Sequence, residues 1–393
     1  MDDHNKRISD YFKTRTKGQN GLWKDIMMTF NKDHSIILGD NDYLNLAHHK
    51  DILTKQANYL IKSTSSDATD NIRSSAFLSE FDPHTALEKD LTAWFGKDCY
   101  LAQSGYAANV GVMHAVCHPG MHVYADQLLH MSFYDGLASR GVKLHFFKHN
   151  NPTSLESQIK KHGPGFILVE SIYSTTGSFA PLEAIVAVKK RHNCILLVDE
   201  SHSLGLFGTQ GLGILHSLNL APDADYVTAS LAKAYATRAG IVFSSNALYV
   251  RERSYPFIFS SGLVQNDVVR IRAIWEVIKS ADARRSRLSN ISTFFRREMD
   301  KVAPVAGGLQ HTPCAIVSVH MENEDKLAEL HRFLSDRGVL AAPFLAPATS
   351  PDAPLLRFSL NCDIGVEDVR RVVGVVGEWY SRGAAEFKPK SKL

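Results

Sequence analysis

Cys194-Ile-Leu-Leu-Val-Asp199-Glu-Ser-His202 is the stretch on which the fold turns. Five apolar residues run unbroken between Asn193 and Asp199, the pattern of a strand buried on both faces. Strands of that kind belong to parallel sheets covered by helices on either side. In open parallel sheets, ligands gather beyond the carboxyl ends of the strands, and Asp199 stands at such an end. A carboxylate there can pair with a protonated pyridine nitrogen, or it can cap the next helix or pair with an arginine. His202, three residues on, can reach a phenolic oxygen of such a ring or a substrate carbonyl.

Thr228-Ala-Ser-Leu-Ala-Lys233 follows 34 positions after Asp199, counted to the lysine. Asp225-Tyr-Val-Thr-Ala229 reads as a short strand and Ser230 to Lys233 as the loop leaving it. Most lysines are solvated surface charges. One placed in a pocket loses solvation, and its neutral, nucleophilic form becomes accessible near neutral pH. An amine that meets a carboxylate at a strand end is the minimum equipment for holding an aldehyde cofactor as a Schiff base.

A phosphate on that cofactor needs a helix N-terminus, whose amides lack intrahelical partners and whose dipole favours an anion. Gln103-Ser104-Gly105-Tyr106-Ala-Ala-Asn109 supplies one after the strand-like Cys99 to Ala102. Ser230 can bond the same phosphate. His130 opens His-Met-Ser-Phe-Tyr-Asp-Gly, where an imidazole can stack flat on a pyridine ring; a hydrogen-bonded structural histidine is the alternative.

The rest of the chain reads as an α/β enzyme. Asp82 to Gly96 has an N-cap, an early proline and a terminal glycine, so the spacing predicts a helix there. Strand-like runs at His122 to Ala125, Lys143 to Phe147, Phe166 to Glu170, Cys194 to Val198, Tyr226 to Ala229 and Ile241 to Ser244 alternate with helical stretches, which means a mainly parallel sheet. A long helical stretch is expected from Gln265 to about Val302. Beyond it, Ala315 to His320, helical Asp325 to Arg337, Leu356 to Leu360 and helical Val366 to Tyr380 make a smaller α+β unit. The expected division is an N-terminal segment 1–50 packing with the small domain, a large domain 51–270, a small domain 271–385 and a disordered tail 386–393. No internal repeat is present, and Arg284-Arg-Ser-Arg287 reads as a solvated helix face.

Composition narrows the classes. The chain has 393 residues, 44% of them hydrophobic, enough for a sizeable core in two domains. Lysine and arginine total 44 against 41 acidic residues, a balance that argues against dedicated nucleic-acid binding. Cys99, Cys117, Cys194, Cys314 and Cys362 are dispersed without a Cys-x-x-Cys pair, which suggests reduced thiols and neither a disulfide framework nor a zinc site. No apolar run approaches the roughly 18 residues of a membrane span, and the N-terminus lacks a signal-peptide core, so a cytoplasmic protein is expected. The final Ser391-Lys-Leu393 matches a peroxisomal address and is read as coincidence within a basic tail.

In chain order, Asn41-Asp-Tyr-Leu-Asn-Leu-Ala, Ser104-Gly-Tyr-Ala-Ala-Asn109, His130-Met-Ser, Glu170-Ser-Ile-Tyr-Ser174, Asp199-Glu-Ser-His202, Ser230-Leu-Ala-Lys233, Phe259-Ser-Ser261 and Leu356-Arg357-Phe-Ser-Leu resemble the α-oxoamine synthases. These are fold-type-I enzymes dependent on pyridoxal 5′-phosphate (PLP) that join an amino acid to an acyl-CoA. Gly163 to Gly177 and Thr228 to Gly240 look most like the bacterial branch that makes α-hydroxyketone autoinducers or their aminoketone precursors. Ser74 to Asp82 also resembles that branch, standing where other relatives carry a glycine-rich stretch. At Ala346-Pro347 the chain departs from the common Arg-Pro, so a second cationic contact is absent from that position.

The resemblance implies a mainly parallel seven-stranded sheet in a PLP-binding large domain. It implies that Lys233 holds PLP and serves as a base, that Asp199 keeps the pyridine nitrogen protonated, that His130 stacks on the ring and that His202 bonds near the phenolic oxygen. Ser104, Gly105, Tyr106 and Ser230 would surround the phosphate, with Ser261 reaching in from a second subunit of a homodimer. Arg357 would clamp the amino-acid carboxylate, a planar guanidinium being suited to it; the residue pattern alone also allows an exposed arginine on an edge strand. Asn41 and Ser174 would lie near the substrate. The implied reaction is a decarboxylating condensation of an amino acid, or S-adenosylmethionine, with a medium- or long-chain acyl-CoA. The alternatives are an oxoamine synthase of primary metabolism, an aminotransferase, or a PLP-fold binding protein without turnover.

Overall fold

The computed structural model describes residues 35–64, 73–306, 314–346, 348–350 and 352–383. Pro347, most of the N-terminal segment, and the tail with its Ser391-Lys-Leu393 lie outside the described residues. β1 (Ile36–Leu38) belongs to a small sheet, and the next seven strands form a large one. These are β2 (Cys99–Ala102), β3 (His122–Asp126), β4 (Lys143–Phe147), β5 (Phe166–Glu170), β6 (Ile195–Asp199), β7 (Tyr226–Ser230) and β8 (Gly240–Phe243), in the order β2-β8-β7-β6-β5-β3-β4. Only β8 runs against its neighbours, pairing antiparallel with β2 and β7, so the expected mainly parallel sheet is present.

Burial on both faces explains the unbroken apolar strands. In β6, Leu197 packs into one hydrophobic cluster while Leu196 and Val198 pack into the other. β5 divides the same way, Phe166 and Leu168 against Ile167 and Val169. With no solvent-facing side, alternation has no work to do; truncating such a leucine to alanine costs about 2–5 kcal/mol.

Helix Pro83–Phe95 begins with its proline and ends at Gly96, whose φ of 85° is the left-handed C-cap geometry that glycine adopts freely. Asp82 precedes it, but its carboxylate accepts from the Ser79 hydroxyl at 2.9 Å instead of capping the helix. The stretch expected as one long helix is two, Gln265–Lys279 and Asp282–Met299. The break is stabilised at the end of the first helix, where the Ser280 hydroxyl donates to Val277 O at 3.2 Å and Arg285 Nη1 to Ile278 O at 2.8 Å. Arg285 also reaches Gly205 O at 3.2 Å, and Arg284 donates to Leu44 O at 2.9 Å. The arginine run is therefore not simply a solvated face, because two of its members tie carbonyls of separate segments together.

β9 (Ile316–His320), β10 (Val339–Phe344) and β11 (Leu355–Ser359) complete the small sheet, in the order β1-β10-β11-β9. β1 pairs with β10 in parallel, which links residues before 50 to this sheet. β10 was not expected, since a proline reads against a central strand. β1 stops opposite Ala341, so Pro343 lies where β10 has a neighbour on one side only. No helix among the described residues is long and apolar enough to cross a membrane.

Candidate active site

The parallel register carries several chemistry-bearing groups to one edge. Glu170 closes β5 directly opposite Asp199, which closes β6 opposite Thr228. Asp199 is buried and accepts from Asn109 Nδ2 at 2.8 Å through one oxygen and from the Ser201 amide at 2.8 Å through the other. Two donors thus fix its orientation. Glu170 is buried and accepts from the Ser174 amide at 3.0 Å. Burial, and then the Asp199 carboxylate beside it, push Glu170 well above the usual carboxylate range.

Lys233 lies three residues beyond β7, in a loop closed by the Leu231 amide on Ala239 O at 2.9 Å and the Thr237 amide on Leu231 O at 3.1 Å. Burial, followed by the charge of Arg357, lowers its ammonium to about 8, against the pull of Asp199 and Glu170. A larger share of the amine is therefore neutral near physiological pH than in an ordinary lysine, and the neutral form is the one a nucleophile or base needs.

His202 is buried on the same edge, and burial, with Lys233 and Arg357 nearby, holds its imidazole well below the usual range and uncharged. Its Nδ1 lies 2.7 Å from the Tyr43 hydroxyl, which is also 3.1 Å from Asn41 Oδ1. That same Asn41 oxygen accepts from Arg357 Nη2 at 3.1 Å, and Arg357 Nη1 donates to Ser174 O at 2.8 Å. One hydrogen-bonded chain thus runs from His202 to Ser174 across both sheets. Arg357 is 5% exposed in a strand flanked by β10 and β9, which corrects the reading of an exposed edge position. Its Nε has no hydrogen-bond partner among the described residues, so a planar guanidinium with donors to spare sits buried within electrostatic reach of Lys233.

The turn into helix Gly105–Val116 is pressed onto the ends of β7 and β8. Ser104 caps it, accepting from the Ala107 amide at 3.0 Å. A Cβ at Gly105 would stand 2.5 Å from Ser230 Cβ, and one at Gly240 would strike the Ser104 carbonyl. Both glycines exist because backbone approaches backbone here, leaving the first-turn amides beside Ser230. Ser230 is oriented by its own amide, which donates to Ser201 Oγ at 2.8 Å.

His130 caps helix Met131–Ala138 through Nδ1, at 3.2 Å from the Ser132 amide. Burial lowers its pKa, and the charges of Asp199 and Lys233 both reach it. Tyr106 stands edge-on to the His130 ring, 6.2 Å between centroids, and its hydroxyl donates to Asp135 at 3.0 Å. Ser261 is exposed, and its carbonyl accepts from Gln103 Nε2 at 2.8 Å, which holds its loop beside the same turn.

Sequence reasoning gave no role to Tyr43, Asn109 or Glu170, although each lies in a stretch quoted for its resemblance. The missing signal is three-dimensional: Tyr43 reaches His202 across 159 positions and Asn109 reaches Asp199 across 90. A base-strength amine, an anchored carboxylate, uncharged imidazoles and a glycine-lined helix start converge on one edge. That donor set fits an aldehyde-bearing pyridine with a phosphate.

Comparison with known proteins agrees. The family described as aminotransferase class I and II matches residues 33–376. A protein named CAI-1 autoinducer synthase from Vibrio campbellii is 36% identical over 90% of this chain and 88% of its own. A putative 8-amino-7-oxononanoate synthase from Glaesserella parasuis is 28% identical over 86% and 89%. Among solved structures, serine palmitoyltransferase from S. paucimobilis with a bound PLP–myriocin adduct superposes with a TM-score of 0.81 at 26% identity, covering 88% of each chain.

Proposed function

The chain belongs to the aminotransferase class I and II family, with α-oxoamine synthases as its relatives, and from that premise we propose that it condenses an amino-acid-type substrate with a medium- or long-chain acyl-CoA. Carbon dioxide and coenzyme A leave, and the aminoketone that remains is the precursor of an α-hydroxyketone signal. Its cofactor is PLP. When bound, PLP supplies an electron sink that stabilises a carbanion at the substrate α-carbon.

In this reading Lys233 Nζ would hold the cofactor aldehyde and serve as the base for the substrate α-proton. A base half-neutral at about 8 suits that task. Asp199, oriented by Asn109 and Ser201, would pair with the pyridine nitrogen. His130 would stack on the ring face, and His202, held by Tyr43, would bond near the phenolic oxygen. Ser104, Gly105, Tyr106 and Ser230 receive the phosphate, with Ser261 contributed by a second subunit. The exposed Phe77, Phe81 and Phe259, apolar surface that water does not favour, support a homodimer.

The observation that carries the reading is Arg357, buried, backed by Asn41 and Ser174, and near Lys233. A guanidinium with unused donors beside a low-pKa amine recognises a carboxylate whose α-carbon must reach that amine. The relative from V. campbellii supports the autoinducer branch.

The test is to supply the PLP-loaded protein with amino donors, including 2-aminobutyrate and S-adenosylmethionine, and acyl-CoAs of increasing length. Free thiol and product mass are then measured together. One coenzyme A released per aminoketone, at the mass expected after loss of carbon dioxide, is the expected outcome. Amino transfer to a keto acid with no thiol released overturns it.

A further inference from the structure

Three histidines meet away from the catalytic edge. His122 opens β3, His145 lies within β4, and His162 ends helix Pro152–His162. The parallel register sets His122 opposite Lys143 and His145 opposite Tyr124, so the two imidazoles are diagonal neighbours on one face of the sheet. His122 Nδ1 and His145 Nε2 are 2.8 Å apart. The His145 and His162 rings stack at 4.0 Å between centroids with 19° between their planes. One ring nitrogen from each of the three lies within 4.8 Å of the other two, and all three residues are half-buried, open to solvent on one side.

The geometry points to a divalent transition-metal site of the zinc class, ligated by His122, His145 and His162 with water in a fourth position. Three imidazoles and an open position are a recognised zinc donor set, and nitrogen ligands favour zinc over the hard cations. With Zn–N bonds of about 2.0–2.1 Å in a tetrahedron, ligand nitrogens stand about 3.3 Å apart. His122 and His145 would part by about half an ångström, exchanging one N–H···N bond for two metal bonds.

Burial, the neighbouring histidines and the Lys161 and Lys143 charges keep His145 in its uncharged form. Burial, Lys161, His122 and Lys143 act likewise on His162. Uncharged imidazoles offer lone pairs, while the two lysines work against an incoming cation, so moderate affinity is expected. Tyr124 stacks on His145 at 5.3 Å, and its hydroxyl is committed to Gly163 O at 2.5 Å, which makes it a wall of the site. Because β4 is an edge strand, an ion here would fasten β3, β4 and the helix end together, at the opposite end of β3 from Asp126 and the catalytic edge. The dispersed cysteines argued against zinc; histidines from three elements, invisible as a motif, make the case for it.

Calorimetric titration of the chelator-stripped, PLP-loaded protein with Zn²⁺ tests this, alongside His145→Ala and, at the helix end, His162→Gln. The expected result is one saturable Zn²⁺ per chain, weakened at least about 10-fold in either variant. Affinity should also fall as pH drops through the histidine range, because protons compete for the ligands. Co²⁺ titration gives an independent optical reading of the same site. No zinc uptake by the parent protein, or uptake unchanged in both variants, overturns the proposal.

Discussion

The low pKa of Lys233 makes a quantitative prediction about cofactor capture. With its ammonium at about 8 in place of 10.5, the amine is about 9% neutral at pH 7, against about 0.03% for an ordinary lysine, a gain of about 300-fold in reactive form. The rate at which cofactor-stripped protein takes up PLP, followed by the visible absorbance of the adduct, should climb about tenfold per pH unit and level off near 8. Two variants move the midpoint in opposite directions. Arg357→Met removes a cation that disfavours the ammonium, so the midpoint rises, though it stays below 10.5 because burial is the larger cause. Asp199→Asn removes an anion that favours the ammonium, so the midpoint falls. Midpoints, not absolute rates, are compared, since either change can also weaken binding. A parent profile that keeps rising to the ordinary lysine value, or two variants shifting the same way, would refute the electrostatic argument.

Arg357→Lys should raise KM for the amino substrate about 10- to 100-fold, the equivalent of about 1.5–3 kcal/mol, because a point charge cannot replace a fork whose two arms already hold Ser174 and Asn41; steady-state kinetics check this. Gly105→Ala places a Cβ 2.5 Å from Ser230 Cβ and 2.7 Å from its Cα, so the dissociation constant for PLP should rise while the circular dichroism of the folded protein is kept, at a cost of about 1–3 kcal/mol. Tyr43→Phe leaves His202 Nδ1 without the hydroxyl at 2.7 Å, and the denaturation midpoint should fall by the equivalent of about 1–3 kcal/mol.

Much of this architecture was legible because burial leaves a mark on sequence. Strands β5 to β8 announced themselves through apolar runs, and Asp199 and Ser230 stand at the ends of two of them. What resisted reading depended on partners distant in the chain. β10 carries Pro343, and only the end of β1 opposite Ala341 explains why that is tolerated. Arg357 alternates with apolar residues as a surface arginine would, and its burial follows from β9 and β10 on either side. Ser280 and Ala281 lack a proline or glycine to mark the break between two helices, so the carbonyls taken by Ser280 and Arg285 had to be seen. The three histidines of the edge site have no sequence spacing in common at all.

The account rests on Lys233 as the residue that binds the cofactor aldehyde. Borohydride reduction of the PLP-loaded protein, digestion and mass spectrometry of the peptides test this directly. The expected result is a phosphopyridoxyl group on Lys233 alone, absent after Lys233→Ala. An adduct on another lysine, or an unmodified Lys233 in protein that turns over, would contradict it.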